Sequence, residues 1–228
     1  MEQINETILN AEVQMTNISS TNTNTVTSFG VSHIGGIYGF VKYSTTNTIN
    51  CKVRTTNIQG YNKDAVYMGG LVGYFTDSNS VITDSYIKDS NLSATTQSKD
   101  SVVGGVIGFS VRSNITLFDT DVSNLFMYSF SVGPVYCSSF IGAVAAYTQD
   151  LILIQNSDVY SINMLYSGSP LYINFLVYYQ IRFLVNIKTE VINSQSSGFS
   201  TMNGVPVTNC QQKIRNDGVT YYINNDGC

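Results

Sequence analysis

The sequence predicts an all-β protein, a short parallel β-helix (β-solenoid) of about six coils with three short strands in each ~35-residue coil. Three observations predict it. A seven-residue glycine phrase returns in register, two further apolar columns keep the same spacing, and the apolar segments are short, rich in Val, Ile, Thr and Tyr, and divided by turn formers.

The phrase Ile34-Gly35-Gly36-Ile37-Tyr38-Gly39-Phe40 recurs as Met68-Gly69-Gly70-Leu71-Val72-Gly73-Tyr74 and as Val103-Gly104-Gly105-Val106-Ile107-Gly108-Phe109, at offsets of 34 and 35 residues. A degenerate fourth copy runs from Phe140 to Ala146 and keeps Gly142; a fifth runs from Ile173 to Tyr179 without glycine. The second column is Val53, Ile87, Val122, Val159 and Val191, with Val13 before it, and the third is Ile18, Ile58, Leu92, Met127 and Met164, with Ser196 ending it. Three such short strands cannot bury their own apolar residues, so the units must stack, like strand on like strand, at roughly 4.8 Å; six coils would make a rod about 29 Å long. The expected glycine columns are Gly36, Gly70, Gly105, Gly142 and Gly39, Gly73, Gly108, sites of a tight bend or a close backbone approach. Phe40, Tyr74 and Phe109 are expected to stack inside the coil or at its corner. A β-sandwich, whose strands recur every 8–12 residues with independent patterning, does not explain the returning phrase.

Gly70-Leu71-Val72-Gly73, with Gly36-Ile37-Tyr38-Gly39 and Gly105-Val106-Ile107-Gly108, resembles the GLUG motif, a short repeat of large cell-surface and secreted proteins that include bacterial adhesins and repetitive surface proteins of protists. The resemblance is good from Ile34 to Val122, weakens to Val191 and stops short of the last thirty residues. It implies an extracellular stalk or adhesive surface and carries no catalytic machinery.

Composition narrows the function. Charged residues are 11% of the 228-residue chain, against roughly 25% in ordinary domains, so the polar surface is largely hydroxyl and amide. A net charge of -4 with scattered Lys and Arg speaks against a nucleic-acid partner. The stretch Leu171 to Ile187 is interrupted by Asn174, Gln180, Arg182 and Asn186, which argues against a transmembrane segment. Glu2 and Glu6 stand where a signal peptide needs basic and apolar residues, while Val13 and Ile18 read as a coil entered midway; a fragment, or a stack completed by another chain, is expected.

No catalytic, metal or cofactor site is expected. The four cysteines (Cys51, Cys137, Cys210, Cys228) lack zinc-binding spacing, and Cys210 and Cys228 are either a disulfide closing the last loop or two free thiols. Stacking would bring Asp84 over Asp119 and Asp121 over Asp158, pairs that could share a proton or a calcium ion as in polysaccharide-active β-helix enzymes; solvent-facing acids are the simpler reading. His33 reads as a turn or loop histidine, and Gly-Gly-x-x-Gly as structural glycine, since no helix follows it. Sequons stand at Asn5, Asn17, Asn91 and Asn114. The Thr/Asn run from Thr16 to Thr27 reads as a polar loop.

Residues 1–196 are thus expected to form the solenoid, and residues 197–228 a C-terminal cap or the start of a cysteine-bearing module, with Val219 to Ile223 as a hairpin-like phrase. The expected role is adhesive or structural, toward a protein or glycan surface partner or another copy joined end to end. The alternative is a hydrolase or lyase using Asp84, Asp119 and Asp121.

Overall fold

In the computed structural model the chain coils into a parallel β-solenoid with no helix among the described residues, which are 4–22, 30–132, 139–148, 152–167, 171–174, 189–192, 196–197, 200–202, 205–207, 213–214 and 220–221. Each coil crosses four sheets rather than the expected three. Val31–Gly35 opens the first sheet and Tyr38–Lys42 the second; Ser44–Ile49 lies in the third; Lys52–Arg54 and Asn57–Asn62 lie together in the fourth. The next coils repeat the order with Ala65–Gly69, Val72–Thr76, Asn79–Thr83 and Tyr86–Thr96, then with Ser101–Gly104, Ile107–Val111, Asn114–Phe118 and Asp121–Ser131.

The second sheet has four strands, which limits the described stack to about four turns where six were expected. At roughly 4.8 Å per rung these stand about 19 Å tall. Val13 and Ile18 stack against Val53 and Ile58 as expected. The expected loop after Thr16 is instead a strand, Asn17–Asn22, paired with Asn57–Asn62.

The strand count differs for two reasons. The glycine phrase is not one strand; it straddles a corner, with Gly35 ending the first sheet and Tyr38 opening the second. The Val53 and Ile58 columns, expected as separate strands, share one sheet and fuse into continuous 11-residue strands in the next two coils. The third sheet has a weak apolar signature because most of its inward positions in the early coils, Thr46, Thr48 and Ser80, are buried hydroxyls, with Ile82 the apolar one beside them. Thr46 and Ser80 satisfy each other at 2.8 Å.

Two register expectations are corrected. Gly142 pairs with Gly104, not with Gly105, so the fourth copy begins at Ile141, one residue later than expected, and Tyr147 rather than Ala146 continues the aromatic column above Phe109. The chain lengthens just before this point: Ser131 lies 35 residues after Thr96, its ladder partner, while Ser139 lies 38 after Ser101. Val191 stacks on Ile154 in the third sheet, and Ser196, expected in the third column, takes the place above Val159. Parallel pairing continues to Met202, opposite Met164, beyond the expected boundary at residue 196; Val205–Val207 then turns back antiparallel. Lys213–Ile214 pairs antiparallel with Thr220–Tyr221. Cys137, Cys210 and Cys228 fall outside the described residues, so the disulfide expectation does too.

The core is built of inward columns, among them Ile34, Met68, Val103 and Ile141; Val53, Ile87, Val122 and Val159; and Ile58, Leu92, Met127 and Met164, nearly all fully buried. Each such side chain contributes about 1.5–3 kcal/mol relative to exposure.

Three further corners share one device. The residue that makes the bend has a left-handed φ of 47° to 56°, in the columns Tyr43, Asp77, Arg112; Asn10, Asn50, Asp84, Asp119, Asn156; and Met15, Thr55, Asp89, Asn124, Ser161. The next residue points inward and in most coils carries a hydroxyl. That hydroxyl donates to the carbonyl two residues back, as from Ser78 to Thr76, Ser85 to Thr83 and Ser90 to Lys88. It also accepts the backbone N–H of its counterpart one coil earlier, from Ser44, Cys51 and Thr56. The sheet ladder cannot continue through a bend of this geometry, and the hydroxyl supplies the partner that a buried N–H requires. Cys51 fills the same place, its Sγ 3.5 Å from the Ile49 carbonyl oxygen.

Candidate functional site

The acids singled out from the sequence do stack, but as parts of corners. Asp84 and Asp119 occupy the left-handed column with Asn10, Asn50 and Asn156, where Asp and Asn are used because their short polar side chains tolerate that conformation. Asp121 is beside Asp158, and its carboxylate accepts the Asp158 backbone N–H at 2.9 Å instead of facing a second carboxylate across a shared ligand. Among the described residues, no three His, Cys, Asp or Glu side chains converge as a metal site would need.

At the repeat glycines the constraint is space, not conformation. None of them has a left-handed φ. The first and second sheets press backbone on backbone: a Cβ on Gly35 would lie 2.0 Å from the Tyr38 carbonyl oxygen, on Gly104 1.8 Å from that of Ile107, and on Gly105 1.8 Å from that of Ala143. A Cβ on Gly73 or Gly108 would likewise strike main chain, at 2.6 Å from the Ile34 nitrogen and 2.5 Å from the Met68 oxygen. Of the two uses expected for these columns, close approach is the one required.

Rings flank this glycine contact on its outer side. Phe40, Tyr74, Phe109 and Tyr147 form a ladder with centroids 4.4–5.3 Å apart, lying outside the coil with Phe40 47% exposed. His33 belongs to it and not to a turn: it stands in a strand, opposite Tyr67, with ring centroids 4.8 and 4.9 Å from Tyr74 and Phe40. Burial among rings holds its pKa below the usual value, so it is neutral at pH 7. The Tyr67 phenol, buried in the same cluster and near Asp100, is pushed up to about 12.

Among the ion pairs that join rungs, one lies in a left-handed column. At consecutive positions of the left-handed column, Arg112 grips Asp77 with Nε 2.5 Å from Oδ1 and Nη2 2.8 Å from Oδ2. This hydrogen bonding, helped by Thr76 and by Lys42, draws the Asp77 carboxyl down to about 2. A depressed carboxyl contributes stability that is complete above its ordinary value near 4 and is lost as pH falls toward 2. Arg112→Ala should therefore lower the melting temperature slightly at pH 7 and leave it unchanged near pH 2. The effect should be small because the guanidinium is 65% exposed; melting curves across pH 2–7 measure it, and equal losses at both ends would contradict the assignment.

The outward faces carry the remaining chemistry. The four sequon asparagines are all exposed on strands, with Asn114 donating to Asn79 Oδ1 at 3.1 Å. Sequence reading passed over the row Phe126, Tyr128 and Phe130, outward on the strand Asp121–Ser131 while Leu125, Met127 and Ser129 face the core. The Phe-x-Tyr-x-Phe alternation was the available signal. No helix among the described residues is long and apolar enough to cross a membrane. No family model matches the chain, and neither the curated proteins nor the solved structures contain a match.

Proposed function

We propose that this chain is a non-enzymatic module of a cell-surface or secreted protein, akin to those bearing the GLUG motif, that serves as an adhesive and structural rod. The observation that carries the reading is the use of its conspicuous residues: glycines, acids and His33 are taken up by sheet contact, corners and ring packing, while the outward sheet faces present rows of amide and hydroxyl groups. Repeating flat faces suit contact with an extended surface. Ends of such a rod offer backbone donors and acceptors, and joining of copies end to end belongs to the same proposal.

Adhesion is tested by coating beads with the full chain and counting their retention on cell and polysaccharide surfaces, where background-level retention would overturn it. Sedimentation at rising concentration tests assembly: a coefficient that grows supports it, and a constant monomer value removes it. For the enzymatic alternative, the parent should release no sugar from a broad polysaccharide panel. The variant with Asp84→Asn, Asp119→Asn and Asp121→Asn should fold and adhere like the parent, since Asn already fills the corner of Asp84 and Asp119 at Asn50 and Asn156, and an amide oxygen at position 121 still accepts the Asp158 N–H. Cleavage by the parent that is lost in the variant would reverse the assignment.

A further inference from the structure

We propose that the fourth sheet binds an uncharged polysaccharide chain along the row Phe126, Tyr128 and Phe130. The inference deepens the adhesive reading and rests on it.

Strand geometry sets these three side chains on one side of the sheet, roughly 6.7 Å from one to the next and about 13 Å from end to end. Their strand buries its other side, so the core gains nothing from the rings; Phe126 is 42% exposed. In the Phe40 ladder each ring faces a ring on the next rung, between 2° and 28° from parallel, so the faces cover one another. The Phe126 row has no such partners on its neighbouring rungs: its ladder partners are Asn91, Ser93 and Thr95 on one side and Asn163, Leu165 and Ser167 on the other. Tyr128 and Phe130 instead lie side by side along the strand, 6.0 Å apart and 16° from parallel.

An aromatic row bordered by a row of amides and hydroxyls is what a sugar chain requires. Its C–H faces pack on rings and its hydroxyls exchange hydrogen bonds with Asn, Ser and Thr. Exposed aromatics are also the residues on which binding energy concentrates. The sign of the partner follows from charge. Outward positions 57, 59, 61, 91, 93, 95, 126, 128, 130, 163 and 165 carry no charged residue. Lys52, Arg54 and Lys88 lie before the left-handed bend, in the other limb of the sheet, and Asp89 forms the bend itself. An acidic polysaccharide would find no cation in the row, and a neutral one needs none.

Affinity electrophoresis of the full chain, made in bacteria so that Asn91 stays bare, tests the proposal with soluble cellulose and chitin derivatives, mixed-linkage glucan and galactomannan against polygalacturonate and heparin. Retardation by at least one neutral polymer is expected, with at least roughly tenfold weaker binding for Phe126→Ala/Tyr128→Ala/Phe130→Ala and an unaltered far-ultraviolet spectrum. Phe40→Ala, in the structural ladder, should bind like the parent. Tyr128→Ser alone serves if the triple variant does not fold, and should also weaken binding. Unchanged binding in these variants, or preference for the charged polymers, overturns the proposal. If the parent binds no polymer but its beads still adhere to cells, the partner is a protein and the proposal falls while the adhesive reading stands; loss of both removes both.

Discussion

Gly104→Ala is expected to abolish cooperative folding. An added Cβ would lie 1.8 Å from the Ile107 carbonyl oxygen and 2.5 Å from its carbon, far inside contact distance. The obstacle is main chain, held by pairing of Ile107 with Val72 on one side and Ala145 on the other. Moving it would break the second sheet in three successive coils. Overpacking in a well-ordered interior ordinarily costs 1–3 kcal/mol, and a clash that no side-chain rotation relieves should cost on the order of 3 kcal/mol or more. That is a large share of the roughly 5–15 kcal/mol that holds a domain together. Gly60→Ala provides the contrast, because its Cβ would meet the side-chain ends of Ile34, Val66 and Met68, which can turn away. Thermal melts followed by circular dichroism should give a clear transition for Gly60→Ala and none, or one lowered by many degrees, for Gly104→Ala. Equal midpoints would mean that the two sheets are not pressed together.

How much of this was legible follows from which residues act in columns. The glycine phrase announced itself because its requirement is absolute: no other residue leaves room for backbone against backbone, so Gly35, Gly69 and Gly104 recur unvaried. Apolar columns such as Val53, Ile87 and Val122 were legible for a similar reason, being wholly buried. The third sheet was not, since its inner face changes from the hydroxyls Thr46, Thr48 and Ser80 in the early coils to Ile115, Leu117, Ile152 and Ile154 in the later ones, and so shows no constant column. Left-handed corners were also hidden. Asn and Asp announce such bends, but Tyr43, Met15, Thr55 and Arg112 adopt the same φ because the ladder on the neighbouring rung imposes it. The one-residue slip at Gly142 arose where chain had been added between Ser131 and Ser139, a change that periodicity registers as spacing and cannot locate. The aromatic row at Phe126 was overlooked because it occurs in one coil, and a search for what repeats passes over what does not.

The corner hydroxyls lead to the second large effect. Ser85 is 2% exposed; it donates to the Thr83 carbonyl at 2.7 Å and accepts the Cys51 N–H at 3.1 Å. In Ser85→Ala the Cys51 N–H loses its partner at a bend where the ladder offers no replacement, while the Thr83 carbonyl keeps the Asn50 N–H at 3.0 Å. A buried group left unpaired costs about 1–3 kcal/mol, so Ser85→Ala should lower stability by that amount. Ser78→Ala, at another corner and with the same pair of bonds to Thr76 and Ser44, should do likewise. Ser85→Thr keeps the hydroxyl and should recover part of the loss: threonine already holds the next place in this column, where the Thr120 hydroxyl lies 3.2 Å from both the Phe118 and the Ile82 carbonyl oxygens. A fourth substitution separates this cause from simple removal of a buried atom. Ser110 is fully buried and its hydroxyl has no hydrogen-bond partner, so Ser110→Ala removes an unpaid desolvation cost and should be neutral or stabilising. Urea unfolding of the four variants measures the set. If Ser85→Ala and Ser110→Ala shifted the midpoint alike, the hydroxyls would be filling space, and the corners would have to be held by something other than these hydrogen bonds.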